Sequence, residues 1–226
     1  MDGGFYRLQA KKLFGKKDPE ERADELFSYC MRHLNKGSKE EASLYRIFYY
    51  DCPPSTKVVY NPVTQRAINL EQSDQYRWMT SFIERLVTKR KVALRRGEEL
   101  ATAGEYVLRP GVLKDLCAGK RSTESLTDRD VRLNITQKGL DMRIGLDIAS
   151  LVERDLVTQI ILISGDSDFV PAAKYARRRG VDFELDPMWH PVSASLNEHV
   201  DGIKSCVKRP PLNEEDPLFN GVSLST

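Results

Sequence analysis

The sequence predicts an α/β fold with a sheet that is at least partly parallel and flanked by helices. Short runs rich in β-branched and aromatic residues alternate with longer segments whose apolar residues recur at helical spacing. Late in the chain, residues 159–163, 169–179 and 181–185 follow the order strand, helix, strand. This order is typical of a parallel β-α-β unit with a right-handed crossover.

The first predicted elements are a helix and a buried strand. The helix spans residues 18–34, because Asp18 can cap it, Pro19 suits the first helical position and the apolar residues that follow fall on one face. The strand spans residues 44–51, which are dense in β-branched and aromatic side chains, and a turn at Pro53 ends it.

The middle of the chain carries weaker patterns. Residues 55–72 show neither the helical nor the strand periodicity of apolar residues and are expected to be irregular. A helix over 73–89 has an inner apolar stripe, and residues 92–95 form a short predicted strand. Residues 96–130 are rich in Gly, Ser, Thr and charge, which predicts an insertion or flap in the middle of the chain.

The predicted elements continue with a helix over 140–156 before the β-α-β unit and a short helix over 193–204 after it. Residues 209–226 are rich in proline and acidic residues and are expected to be a disordered tail. Residues 1–208 are therefore expected to form one domain, which suits a chain of 226 residues.

Composition excludes several classes of protein. With 40% hydrophobic and 30% charged residues and a net charge of +2, the chain is neither disordered by composition nor strongly basic. It contains no apolar run of the roughly 20 residues that cross a bilayer and no secretory signal. The four cysteines are far apart and lack a CxxC pair, which disfavours a zinc cluster or a disulfide framework. We therefore expect a cytoplasmic protein with reduced thiols and no membrane contact.

Candidate catalytic residues follow the predicted strand 159–163. Ligands of parallel sheets bind at the carboxyl ends of the strands, where Asp166 and Asp168 stand. Two carboxylates on such a turn suit a hard cation such as Mg2+. The alternative is that one aspartate only caps the next helix. Ser164 is expected to support the site, by orienting phosphate or by capping the helix.

A second acidic pair lies on the predicted helix before this strand. Asp141 and Asp147 are six positions apart and do not share a helix face, so only one is expected to reach a metal. Asp141, in the first turn, can point to the same rim as Asp166. Asp147 lies deeper, and a buried supporting role and a direct metal contact remain equal alternatives. Lys138, three residues before Asp141, is a further supporting residue.

These motifs together resemble the NYN domain family, the LabA-like branch of the PIN-like ribonucleases. The resemblance rests on KGLD at 138–141, on Asp147 and on ILISGDSDF at 161–169, and DGGFY at 2–6 resembles the motif that closes the first strand of the family. It implies a PIN-like, Rossmann-like fold and cleavage of RNA by a Mg2+ or Mn2+ site. The implied catalytic and metal-binding residues are Asp2, Asp141, Asp166 and Asp168.

One departure from the family concerns the first strand. The family has a whole apolar strand before its first aspartate, whereas only Met1 precedes Asp2 here. A truncated start and a vestigial strand both explain this difference. A catalytically decayed RNA-binding or adaptor module is therefore the first alternative to a nuclease. The DxDxV-like run at 166–170 also resembles haloacid-dehalogenase phosphatases, but too few residues follow it for the rest of that fold.

Basic residues are the candidates for contacts with RNA phosphates. The candidates are Arg7, Lys11, Lys12, Lys174 and Arg177. The ordinary explanation of such runs is a solvated helix face or compensation of a helix dipole. Because PIN-like relatives often pair, a homodimer is a further expectation, although no apolar stripe in the sequence identifies its interface.

Overall fold

Helices and strands alternate along the chain in the computed structural model, which describes residues 1–34, 42–97, 104–135 and 139–209. Within these residues the helices are α1 (Gly3–Phe14), α2 (Pro19–Arg32), α3 (Asp74–Val87), α4 (Pro110–Cys117), α5 (Leu140–Glu153), α6 (Val170–Arg178) and α7 (Ala194–Glu198). The strands are β1 (Ile47–Asp51), β2 (Val58–Asn61), β3 (Arg66–Asn69), β4 (Val92–Arg96), β5 (Tyr106–Leu108), β6 (Val131–Leu133), β7 (Gln159–Ile163), β8 (Asp182–Asp186) and β9 (Gly202–Ile203). The α/β class is therefore confirmed.

The strands form small sheets. Strand β1 pairs with β4 in parallel, and β7, β8 and β9 form a second parallel sheet in that order. Two antiparallel pairs, β2 with β3 and β5 with β6, complete the strand pairing of the described residues. The prediction of one mostly parallel sheet is thus met only in part, because β1 and β7 do not pair directly with each other.

Met1 and Asp2 lie between β1 and β7 and form hydrogen bonds with both strands. The Met1 amine donates to the Phe48 carbonyl at 3.0 Å, and the Tyr50 amide donates to the Met1 carbonyl at 3.1 Å. On the other side, the Asp2 amide donates to the Ile163 carbonyl at 3.1 Å. The backbone of Asp2 pairs with that of Tyr50 in a parallel bridge, so this short segment links the carboxyl ends of the two parallel sheets. Burial lowers the pKa of the Met1 amine to about 6.

Helices cover both faces of the parallel strands. Successive residues of a strand point to opposite faces, so Tyr49 and Tyr50 enter different cores. Tyr49 packs in the core formed with α1, α2 and α3, whereas Tyr50 packs in the core formed with α5, α6 and α7. The flanking helices that the sequence predicts are therefore present. None of the described helices is long and apolar enough to cross a membrane.

The prediction that residues 55–72 are irregular is wrong. They contain the hairpin of β2 and β3, whose turn is organised by the Asn61 side chain: its oxygen accepts the Val63 and Thr64 amides at 2.9 and 3.1 Å. The strands have four residues each, and the first alternates exposed and buried positions only twice. Such short elements give little periodicity, whereas the Asn61-Pro62 pair is a turn signal that the sequence does provide.

The described part of residues 96–130 is structured. It contains β5 and α4, and β5 pairs with β6 across this segment. Helix α4 buries only Val112, which explains its weak apolar pattern. That the segment is an insertion or flap stays a prediction. The predicted helix over 193–204 is divided into the shorter α7 and strand β9. The predicted tail, apart from its first residue, lies outside the described residues.

Gly3 allows α1 to begin directly beside β1. A Cβ atom at this position would lie 2.6 Å from the Tyr50 carbonyl oxygen and 2.6 Å from the Tyr49 ring, distances that real Cβ atoms do not tolerate. Because the carbonyl belongs to the backbone of a paired strand, it cannot move away easily. Gly3 therefore sets how closely Asp2 approaches the sheet edge.

We expect Gly3→Ala to lower the free energy of unfolding by about 1 to 3 kcal/mol, the usual cost of overpacking a close contact. Gly145→Ala in α5 is the matched control, because a Cβ there would meet nothing within 4 Å. The control should be neutral or stabilising by up to about 1 kcal/mol, since alanine favours a helix over glycine. Urea denaturation measures both; equal midpoints for the two variants would contradict the close approach.

Candidate metal centre

Three aspartates meet at the carboxyl end of β7. One carboxylate oxygen from each of Asp141, Asp166 and Asp168 lies within 4.8 Å of the others, and all three residues are exposed. Asp166 and Asp168 belong to the turn that follows β7, and Asp141 lies in the first turn of α5. The structure therefore brings together three of the four residues that the sequence predicts as metal ligands.

The turn after β7 is built by short-range hydrogen bonds. Ser164 is fully buried, and its Oγ accepts the Asp166 amide at 3.3 Å. The Asp166 carboxylate in turn accepts the Asp168 amide at 3.0 Å and caps a single 3-10 turn. Phe169 follows and is buried in the core, which anchors the end of the turn. Ser164 therefore orders the loop, while the two aspartates face solvent.

Asp2 is not among the three carboxylates that lie within 4.8 Å of one another, but its charge acts on one of them. Its carboxylate caps α1 by accepting the Phe5 amide at 3.0 Å, and its own amide is bonded to the last residue of β7. Although the residue is exposed, the pKa of Asp141 is raised, first by partial desolvation of its carboxylate and then by the negative charges of Asp2, Asp166 and Asp168. The carboxylate of Asp2 is thus close enough to Asp141 to disfavour its ionisation.

Helix N-termini partly offset this negative charge. Asp2 caps α1, Asp141 lies in the first turn of α5, and Asp166 and Asp168 precede α6 directly. The positive end of each helix dipole favours a carboxylate within its first turn. Within the described ranges, however, none of these four side chains forms an ion pair with lysine or arginine. Among the described residues, no basic side chain therefore neutralises the cluster directly.

Asp147 lies away from the three clustered carboxylates. Its Oδ2 accepts the Tyr50 hydroxyl at 2.8 Å and the Arg95 Nε–H at 2.8 Å. Arg95 also lies over the Phe48 ring at 4.9 Å. These contacts join α5 to β1 and β4, so of the two alternatives for Asp147 the geometry favours support. Lys138 lies outside the described residues.

The basic residues of α1 have different surroundings. Arg7 forms an ion pair with the buried Asp51 and donates to the Tyr49 hydroxyl at 3.1 Å, so it already neutralises a buried carboxylate. Lys11 and Lys12 are exposed in the last turns of the same helix. Among these three predicted RNA contacts, only the two lysines present their charge to solvent without such a buried partner.

Lys174 lies in the middle of α6 and Arg177 in its last turn. They line a shallow surface groove together with Asp182 and Asp201, at the amino end of β8. The Arg177 Nε–H donates to Asp201 at 2.8 Å. Because the acidic cluster adjoins the first residue of α6, Lys174 lies about 6 Å and Arg177 about 10 Å along the helix axis from that end. The position of Arg177 in the last turn fits compensation of the helix dipole better than contact with a substrate at the cluster.

Two residues near the site were not singled out from the sequence. Asp51 ends β1 at the same edge as Asp2. In the sequence, only its place as an acidic residue at the end of a predicted strand indicated that it lies near the site. His190 lies in the loop after β8, and a Cβ on Gly165 would be 3.0 Å from its Nδ1. Its signal would have been its place after a neighbouring parallel strand, because such loops meet at one edge of a sheet.

One comparison with known proteins covers the part of the chain that carries the clustered aspartates. The family model described as the NYN domain matches residues 115–188, a span that includes the three clustered aspartates and both strands of the β-α-β unit. No curated protein and no solved structure gives a significant match. Over residues 115–188, about a third of its length, the chain is therefore similar to the NYN domain family, a PIN-like nuclease family.

Proposed function

We propose that this chain is a metal-dependent ribonuclease that hydrolyses RNA phosphodiester bonds, and that it belongs to the LabA-like branch of the family. The observation that carries the proposal is the cluster of carboxylates within 4.8 Å of one another at the carboxyl end of a parallel strand. Clustered carboxylates repel one another unless a proton or a cation lies between them. A divalent cation relieves this repulsion and serves phosphodiester chemistry as well.

The donor set fits Mg2+ or Mn2+. These cations prefer oxygen ligands, and the cluster offers carboxylate oxygens without a competing sulfur or imidazole ligand in its three-residue core. We assign Asp2 and Asp166 as the principal ligands, with Asp141 and Asp168 completing the site. A bound cation would supply activation of water and neutralisation of the phosphate oxygens. Ser164 and Asp147 act through the backbone and side chains that they hold in place.

RNA is the substrate that the family similarity suggests. An acidic centre repels phosphates, so basic surface must supply part of the affinity. Lys11 and Lys12 are the preferred candidates, because they are exposed on the helix whose first turn carries Asp2. Arg7, Lys174 and Arg177 are less favoured because of the partners or the position described above. We further propose a cytoplasmic location, for which four cysteines without a CxxC pair are suitable, and a homodimer.

Replacement of Asp166 tests the nuclease proposal. Asp166→Asn should lower Mn2+-dependent cleavage of a mixture of single-stranded and structured RNA by at least about a hundredfold, the size of one lost electrostatic contribution. Asp74→Asn is the matched control, since the Asp74 side chain is 97% exposed and lies on α3. Its cleavage rate should equal that of the parent chain. RNA binding without any cleavage by the parent chain would favour the adaptor alternative instead.

Thermal unfolding tests metal binding separately from activity. Mn2+ at a hundredfold excess over its Kd should stabilise the parent chain by about 2.7 kcal/mol, or about 5 to 10 °C. In EDTA, Asp141→Asn should melt at the same temperature as the parent or higher, because it removes a charge that its neighbours repel. With Mn2+ it should gain less than the parent chain. An equal gain in both proteins would exclude Asp141 from the metal site.

A further inference from the structure

The loop after β8 carries two neighbouring aromatic side chains, Trp189 and His190, and His190 lies against Gly165 beside the acidic cluster. Met188 and Trp189 have φ angles of +47° and +63°, a left-handed conformation that residues other than glycine rarely adopt. Three hydrogen bonds hold this backbone. The Asp186 carboxylate accepts the Met188 amide at 2.8 Å, the Pro187 carbonyl accepts the His190 amide at 2.7 Å, and Ser205 Oγ accepts the Trp189 amide at 3.1 Å.

Asp186 fixes the base of this loop. It is fully buried, and its Oδ2 accepts the Tyr29 hydroxyl at 2.6 Å and bonds with His33 Nε2 at 2.8 Å. Because a carboxylate accepts hydrogen bonds, His33 carries a proton on Nε2, and its Nδ1 faces the Cys206 sulfur at 3.4 Å. The loop is therefore tied to α2 and to the segment after β9, and its side chains are presented in one fixed arrangement.

Trp189 is the large exposed ring of the loop. Its side of the loop faces solvent, with 39% of the residue exposed, although its indole N–H is fixed by the Val207 carbonyl at 2.9 Å. The guanidinium of Arg209 lies 5.6 Å from the ring centroid. A flat ring with a cation beside it is the combination on which proteins stack the bases of single-stranded nucleic acids.

His190 connects the loop to the acidic cluster. A Cβ on Gly165 would lie 3.0 Å from His190 Nδ1 and 2.8 Å from the Phe5 ring, so both rings lie directly against the backbone between Ser164 and Asp166. Phe5 and His190 meet edge to face at 5.6 Å. The Nδ1 of His190 bonds with the Pro191 carbonyl at 2.8 Å, which places the proton there and leaves Nε2 without a partner among the described residues.

We propose that Trp189 and His190 form a binding subsite for a nucleotide of single-stranded RNA next to the scissile phosphate, a proposal that rests on the nuclease function above. Trp189 stacks on the base, and His190 Nε2 contacts the sugar-phosphate backbone beside Asp166. The same loop contacts the backbone that carries the proposed metal-binding aspartates, and this continuity favours RNA over a protein partner. The cation over the ring also suits a phosphate that follows the stacked base.

Binding measurements on the full chain test this subsite. All variants also carry Asp166→Asn as the background, which should prevent cleavage, so that a labelled hexauridylate stays intact during measurements in Mg2+. Trp189→Leu should weaken binding about fivefold to a hundredfold, the loss expected for one stacked base. Trp189→Phe keeps a ring and should bind within about threefold of the background protein. Unchanged affinity in Trp189→Leu, with unchanged thermal unfolding, would overturn the proposal and assign the ring to another kind of contact.

Intrinsic fluorescence gives an independent readout. The chain has two tryptophans, and Trp78 stacks on Phe82 in α3, so Trp78→Phe leaves Trp189 as the only indole. Hexauridylate should quench this fluorescence, whereas the same strand with abasic residues should not. Quenching and Trp189-dependent binding without cleavage by the parent chain would support the subsite and overturn the nuclease. Cleavage by the parent chain without quenching or Trp189 dependence would keep the nuclease and overturn the subsite.

Discussion

The repulsion among carboxylates at one edge of the parallel strands is the constraint on which the rest of the structure depends. Partial desolvation raises the pKa of Asp141, and the negative charges of Asp2, Asp166 and Asp168 raise this pKa further. The chain tolerates this arrangement because each carboxylate lies at or just before a helix N-terminus, where amide groups and the helix dipole favour negative charge. A cation shared by the cluster would relieve the repulsion that remains after these local interactions.

The position of Asp2 depends on very few backbone contacts. Hydrogen bonds from Met1 and Asp2 to β1 and β7 place this residue between the two parallel sheets. Gly3 then permits α1 to turn away immediately, because no side chain obstructs the approach to Tyr50. The buried ion pair between Arg7 and Asp51 holds the first turns of α1 against the end of β1. Geometry near the chain start therefore determines the acidic cluster as directly as the late β-α-β unit does.

The late β-α-β unit was predictable because its signals are local and strong. Strand β7 has the boundaries predicted from its apolar run, and β8 agrees within one residue. The association of Asp141 with Asp166 followed from the rule that ligands gather at the carboxyl ends of parallel strands. Asp147 remained ambiguous, because its partner Arg95 is distant in sequence and no local pattern announces that pair.

Other features depend on contacts that a sequence pattern does not contain. Helix α1 was missed because its start was read as the end of a strand, although Asp2 is an ordinary N-cap residue. The hairpin of β2 and β3 is too short for a clear period, and its turn depends on one side chain. The left-handed residues Met188 and Trp189 are held by partners from separate segments, Asp186 and Ser205. Such long-range support cannot be read from local propensity.

Crystals grown with Mn2+ test the central claim most directly, because anomalous scattering locates the ion without reference to activity. We predict one strong peak about 2.0 to 2.3 Å from carboxylate oxygens of Asp2 and Asp166, with Asp141 or Asp168 also in contact. A peak elsewhere on the surface, or a carboxylate of Asp2 turned away from an ion bound at Asp166, would contradict the shared site.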